Sequence, residues 1–147
     1  MTVYEFIEGH EGRKDEPYKC SAGHWTIGVG WNMDANPLPP YIEYYLKQNG
    51  RITNAMADHL LVISVRSAIA DCRVLFPNFD EFTNSRRMAL IDFVFQLGFK
   101  RARTFVRAIA AVNTGRWEDA AAEMRDSAWA QQTPNRAAEV TDMIEAG

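Results

Sequence analysis

The feature that most restricts the fold is an unbroken helical pattern from Asn54 to about Leu75. Thr53 stands before it as an N-cap, apolar Met56, Leu60, Ile63, Ile69 and Cys72 recur along it, and Phe76-Pro77 ends it. Roughly 22 residues at about 1.5 Å each span about 30 Å, enough to join two lobes. The two flanks differ in kind: alternation broken by Gly and Pro comes before, and only helical spacings follow Pro77. With 147 residues the chain fits one domain, or two small lobes sharing that helix. The expected class is α+β, with a small N-terminal β-hairpin lobe and a larger C-terminal helical lobe.

Before the long helix, Val3, Phe6, Ile7 and His10 have helical spacing after Thr2, so a short helix over 3–11 is expected, stopped by Gly12. From Pro17 the period changes to two. Tyr18 and Cys20 lie on one side, Ser21-Ala22-Gly23 makes a turn, and Trp25, Ile27 and Val29 alternate with Thr26, Gly28 and Gly30, which reads as a β-hairpin. Asn36-Pro37 and Pro39-Pro40 interrupt the chain, and a helix from Tyr41 stops at Asn49-Gly50. Beyond Pro77, helices are expected over 84–97, 104–112 and 117–124, with a last one opened by Pro134 at N1 after the cap-like Thr133.

The chemistry concentrates between Gly9 and Gly30. Glu11 falls in the last turn of the first helix, where the helix dipole disfavours a carboxylate and burial would raise its pKa, which suits a proton donor. If the hairpin pairs Cys20 opposite Thr26, a thiol and a hydroxyl project from one sheet face, and Glu11 could face them across a cleft. The glycines of TIGVG leave that face bare, so Gly30 is a candidate to meet a ligand.

Composition excludes several classes. A net charge of −3 lacks the basic excess that phosphate neutralisation needs, so nucleic-acid binding is not expected. Two cysteines make no disulfide framework and are read as free thiols. Glu5, Glu8 and Glu11 stand where a signal peptide needs a basic start and an apolar core, and no run reaches membrane-spanning length. A soluble protein made in a cytoplasm is expected. His10, Cys20 and His24 lie near Glu11, but their spacing fits no zinc signature, so neither metal nor cofactor is expected.

Longer motifs then carry a resemblance. Glu11, Cys20 and Thr26 follow E-x8-(D or C)-x5-T, with IGVG directly after, and FVFQLG at 93–98, GRWEDAA at 115–121 and QTPNRA at 132–137 follow in the same order. Together these resemble the phage lysozymes, the muramidase endolysins of the T-even phage type in glycoside hydrolase family 24, over nearly the whole chain. The resemblance implies a lysozyme-like two-lobe fold: a hairpin lobe of about 12–52, a connecting helix 54–75, and a helical lobe of about 76–147 joined by helix 3–11. It implies hydrolysis of the β-1,4 bond between N-acetylmuramic acid and N-acetylglucosamine in peptidoglycan. Carried over residue by residue, Glu11 is the general acid, Cys20 holds the position of the second catalytic group, and Thr26 positions the attacking water. Arg136 orients Glu11, and Gly30, Phe95 and Gln96 belong to the substrate-binding surface.

Two departures qualify that transfer. The second group is usually a carboxylate, whereas a thiol with pKa about 8.5 is only a few per cent ionised near neutrality. Cys20 therefore needs help, for which Lys19 and Lys14 are candidates; it would serve as base or electrostatic partner, with covalent attack the secondary variant. His10 and Trp31 stand where this enzyme type commonly has an Asp and a His that pair, so Trp31 is expected to pack instead. A lytic transglycosylase and a non-catalytic peptidoglycan-binding relative are the alternative readings. The resemblance further implies a monomer in the host cytoplasm that reaches the periplasm and cell wall through a holin. Arg86, Arg87, Lys100, Arg101, Arg103, Arg107 and Arg116 against Asp92 alone suggest a basic face toward anionic wall or membrane.

Overall fold

The computed structural model describes all residues 1–147, which divide within the long helix into compact units of residues 1–65 and 66–147. Helix α1 (Val3–Glu11), grouped above with the later helices, falls in the first unit. Thr2 caps it through a capping box with Glu5, and Gly12 at φ 73° ends it. Strands β1 (Lys14–Lys19), β2 (Trp25–Gly28) and β3 (Trp31–Asn32) then form an antiparallel sheet in the order β1-β2-β3. Helix α2 (Pro40–Asn49) follows, and α3 (Asn54–Leu75) begins with the Thr53 hydroxyl accepting from Met56 N–H at 3.1 Å.

The sheet differs from the expected two-strand hairpin because Gly28 and Gly30 have φ 64° and 67°. Two left-handed residues within three positions cannot continue a strand, so the IGVG run ends β2 and turns into β3. The register also differs. Tyr18, not Cys20, pairs with Thr26, and Lys19 pairs with Trp25. A bulge between Lys14 and Tyr18 takes up the offset around Pro17, which an edge strand tolerates because Pro has no N–H to donate.

Ile27, Trp31, Ile42, Ile52, Ala57 and Leu60 form the buried core of the first unit. Trp31 packs as expected, its indole N–H donating to the Asn36 carbonyl at 3.1 Å. Arg13 bolts the end of α1 to α3. Its guanidinium meets Glu8 at 2.8 Å and Asp58 at 2.6 Å and donates to the Asn54 carbonyl at 3.2 Å.

In the second unit a 3-10 turn (Phe79–Glu81) precedes α4 (Asn84–Leu97), α5 (Phe99–Ala102), α6 (Val106–Asn113), α7 (Trp117–Arg125), α8 (Ala128–Gln132) and α9 (Pro134–Ala146). Every residue from Ala89 to Val94 in α4 is buried, which marks it as the central helix, enclosed on all sides. Phe93 makes edge contacts with Trp129 at 4.9 Å and Phe105 at 5.0 Å between ring centroids. Arg86 stacks on Trp117 at 4.0 Å and donates to the Ile144 carbonyl at 2.8 Å, closing the end of α9. No helix is long and apolar enough to cross a membrane.

Candidate active site

Glu11 is the last residue of α1, half-buried, and its carboxylate occupies the space that a side chain at position 30 would need. A Cβ built on Gly30 would lie 2.9 Å from Glu11 Oε2. The β2–β3 turn and the end of α1 therefore meet through a missing side chain. Gly30, expected to touch substrate, is placed against the carboxylate, and its positive φ excludes other residues on a second count.

Thr26 is buried in β2, and Tyr18 opposes it. Cys20 stands two residues beyond Tyr18, so by alternation it lies on the same side, diagonal to Thr26 rather than across from it. The hairpin turn closes by Gly23 N–H donating to the Cys20 carbonyl at 2.8 Å and Cys20 N–H to the His24 carbonyl at 2.9 Å. Burial pushes the Cys20 thiol up, but the backbone N–H groups of His24 and Ala22 in the turn outweigh it. The thiol sits below its ordinary value. Its help comes from the turn, not from the lysines. The Lys19 ammonium lies over the Trp25 ring at 5.5 Å and that of Lys14 over Tyr18 at 6.0 Å.

Sequence reasoning missed Tyr18 as part of this group. Burial raises its phenol, and the charges of Glu11 and Cys20 push the same way, so all three share one electrostatic environment. The motif names only Glu11, Cys20 and Thr26, and a Tyr on an alternating strand gives no separate signal. A hollow of about 570 Å³ beside α1 and α3, lined by Tyr4, Leu61 and Val62 among others, includes none of these residues.

In the helical unit, Gln96 on α4 is a bracket. Its amide oxygen accepts from the Trp129 indole at 2.8 Å, and its amide nitrogen donates to the Thr133 hydroxyl at 3.3 Å, leaving one N–H. Thr133 stands at the N-cap position of α9 without capping it, since its hydroxyl instead donates to the Trp129 carbonyl at 3.1 Å. Phe95 is half-buried beside Gln96 in sequence. Arg136 donates from Nε and Nη2 to the two oxygens of Asp92 at 2.9 and 2.7 Å. Asp92 is fully buried, and its place inside the apolar run LIDFVF was the available signal, because a buried charge requires a partner. Of the seven bases, Arg86 and Arg87 serve neighbouring carbonyls, Arg101 meets Gln132 and Arg116 meets Asp119, while Lys100, Arg103 and Arg107 remain exposed without an ion pair.

The sequence profile of the phage lysozyme family matches residues 8–141. The chain is 30% identical over 164 residues to the probable T4-type lysozyme 1 of Dictyostelium discoideum, covering 99% of this chain and 95% of that protein. It is 28% identical over 162 residues to the probable T4-type lysozyme 2 of the same organism, with the same coverage. It is also 30% identical over 161 residues to the pre-baseplate central spike protein Gp5 of Enterobacteria phage T4, covering all of this chain and 28% of that much longer protein.

Proposed function

The chain belongs to the phage lysozyme family and is a muramidase-type glycoside hydrolase, and from that premise we propose the bond, the residues and the route. The bond is the β-1,4 linkage between N-acetylmuramic acid and N-acetylglucosamine in bacterial peptidoglycan. Glu11 is the general acid: its carboxyl gives a proton to the glycosidic oxygen as the C–O bond breaks, leaving an oxocarbenium-like sugar. Thr26 holds a water, and Cys20 takes its proton as the hydroxide adds to the anomeric carbon. The lowered thiol supports this part, because more of it is thiolate near neutrality than a free cysteine would offer.

The observation that carries the reading is the pairing of Glu11 with Gly30. It supports a carboxylate held against the same hairpin whose next strand residues bear Thr26 and lead back to Cys20. In this proposal Phe95 and Gln96 contact substrate and Arg136 orients Glu11, roles that the FVFQLG and QTPNRA motifs carry over from the family resemblance. Lys100, Arg103 and Arg107 face the anionic wall, the enzyme acts as a monomer, and release from the host cytoplasm to the wall depends on a holin. The test of the bond is digestion of purified peptidoglycan followed by end-group analysis. New reducing N-acetylmuramic acid ends are expected, and anhydro-muramyl ends would reject hydrolysis in favour of transglycosylation. Cys20→Asp is expected to stay active and Cys20→Ser to lose most turnover. A silent Cys20→Ser would reduce the thiol to a spacer.

A further inference from the structure

A chain of hydrogen bonds runs from the loop after β3 to the two hairpin residues of the proposed site. The His24 carbonyl oxygen accepts from Cys20 N–H at 2.9 Å and from the Thr26 hydroxyl at 3.0 Å. A carbonyl has two lone pairs, so this one is fully used. The other end of the same peptide group, Trp25 N–H, donates to Asp34 Oδ2 at 3.0 Å. Asp34 is itself held, because its N–H and that of Ala35 donate to Asn32 Oδ1 at 3.0 and 3.1 Å, and Asn32 pairs with Thr26 across β2 and β3.

We infer that Asp34 is a positioning residue: its carboxylate pins the His24–Trp25 peptide, and that peptide pins both the Cys20 backbone and the Thr26 hydroxyl. This rests on the proposed part of Cys20 and Thr26 in handling the water. A peptide group is planar and stiff, so fixing its N–H fixes the direction of its carbonyl. An ionised acceptor on the N–H makes a shorter and stronger bond than a neutral one, and it polarises the amide so that the carbonyl accepts more strongly. The Thr26 hydroxyl has one proton. Given to His24, it leaves the oxygen lone pairs to accept from a water, which is what positioning the nucleophile requires. The His24 ring nitrogen lies 3.7 Å from the same Asp34 oxygen with both side chains half exposed, a loose contact beside the Trp25 bond.

The test compares Asp34→Ala, Asp34→Ser and Asp34→Asn in the full chain. Two quantities are measured: kcat and KM on purified peptidoglycan, and the pH profile of Cys20 alkylation by iodoacetamide, followed by mass spectrometry with buried Cys72 as internal control. Asp34→Ala and Asp34→Ser are expected to lower kcat roughly ten- to hundredfold with little change in KM. In both, the Cys20 profile moves to higher pH as the turn N–H groups lose alignment. Asp34→Asn keeps an oxygen for Trp25 N–H and is expected to recover most of both quantities. Alkylation profiles of Asp34→Ala and Asp34→Ser that overlay wild type would overturn the inference, whatever happens to turnover. A shifted profile with unchanged turnover would uphold the positioning chain and contradict instead the assignment of Cys20 and Thr26 to the water.

Discussion

Gly30 is the residue at which backbone strain and active-site space coincide. Its φ is 67°, and any Cβ there would press on Glu11 at 2.9 Å. Gly30→Ala is expected to cost about 1–2 kcal/mol for the left-handed conformation. Displacing the carboxylate should lower turnover by at least about tenfold in protein that remains folded. Kinetics beside a thermal melt checks this; wild-type turnover would mean that the Glu11 position is not set by Gly30. The two cysteines respond oppositely to pH. Burial, and then the charge of Asp71, push the Cys72 thiol far up, so it keeps its proton in the folded state while the unfolded thiol ionises above about pH 8.5. There the unfolded chain binds fewer protons, so the Cys72 contribution to stability is full below that pH and is lost as pH rises. Cys20, lowered in the folded state, contributes above the unfolded value and loses that contribution as pH falls through the folded one. Urea midpoints from pH 8 to pH 10 should therefore fall in wild type and flatten in Cys72→Ala.

At the scale of elements, Asp92 and Arg136 join α4 to α9 by a pair that is fully buried on one side and about nine-tenths buried on the other. Asp92→Ala removes both of these charge-assisted bonds from a nearly buried guanidinium and is expected to destabilise by about 3–5 kcal/mol in denaturant unfolding. Thr2→Ala removes the capping box of α1 and should cost about 1 kcal/mol. These elements also separate what the sequence could tell from what it could not. Helices α1 to α4 were legible because each has a cap or a stop and several apolar repeats; α3 even has the expected span, Asn54–Leu75. Helices α5 and α8, four and five residues long, have too few repeats for a period, and packing around α4 decides them. The hairpin register was misread because alternation assigns a side but not a partner, and the bulge at Pro17 shifted the pairing. The candidates Glu11, Cys20 and Thr26 were picked out by the motif spacing alone. Tyr18, Asp34 and Asp92 were not, since each acts through a neighbour that only folding supplies.

On the scale of the whole molecule, charge is segregated along a chain of net −3. Residues 98–116 carry five bases and no acid, while the rest carries eleven bases against nineteen acids. Wall binding through Lys100, Arg103 and Arg107 should weaken as salt rises from low to physiological strength, where the Debye length falls to about 8 Å. Replacing all three by Gln should remove the salt-sensitive part, and binding indifferent to salt would contradict that role. Turnover itself depends on acid catalysis by one carboxylate, and Glu11→Gln keeps the shape of that side chain while removing the proton donor. On purified peptidoglycan acid catalysis by Glu11 requires a fall in turnover of about a hundredfold or more, with the thermal melt unchanged to within a few degrees. Full activity in a folded Glu11→Gln protein would contradict it.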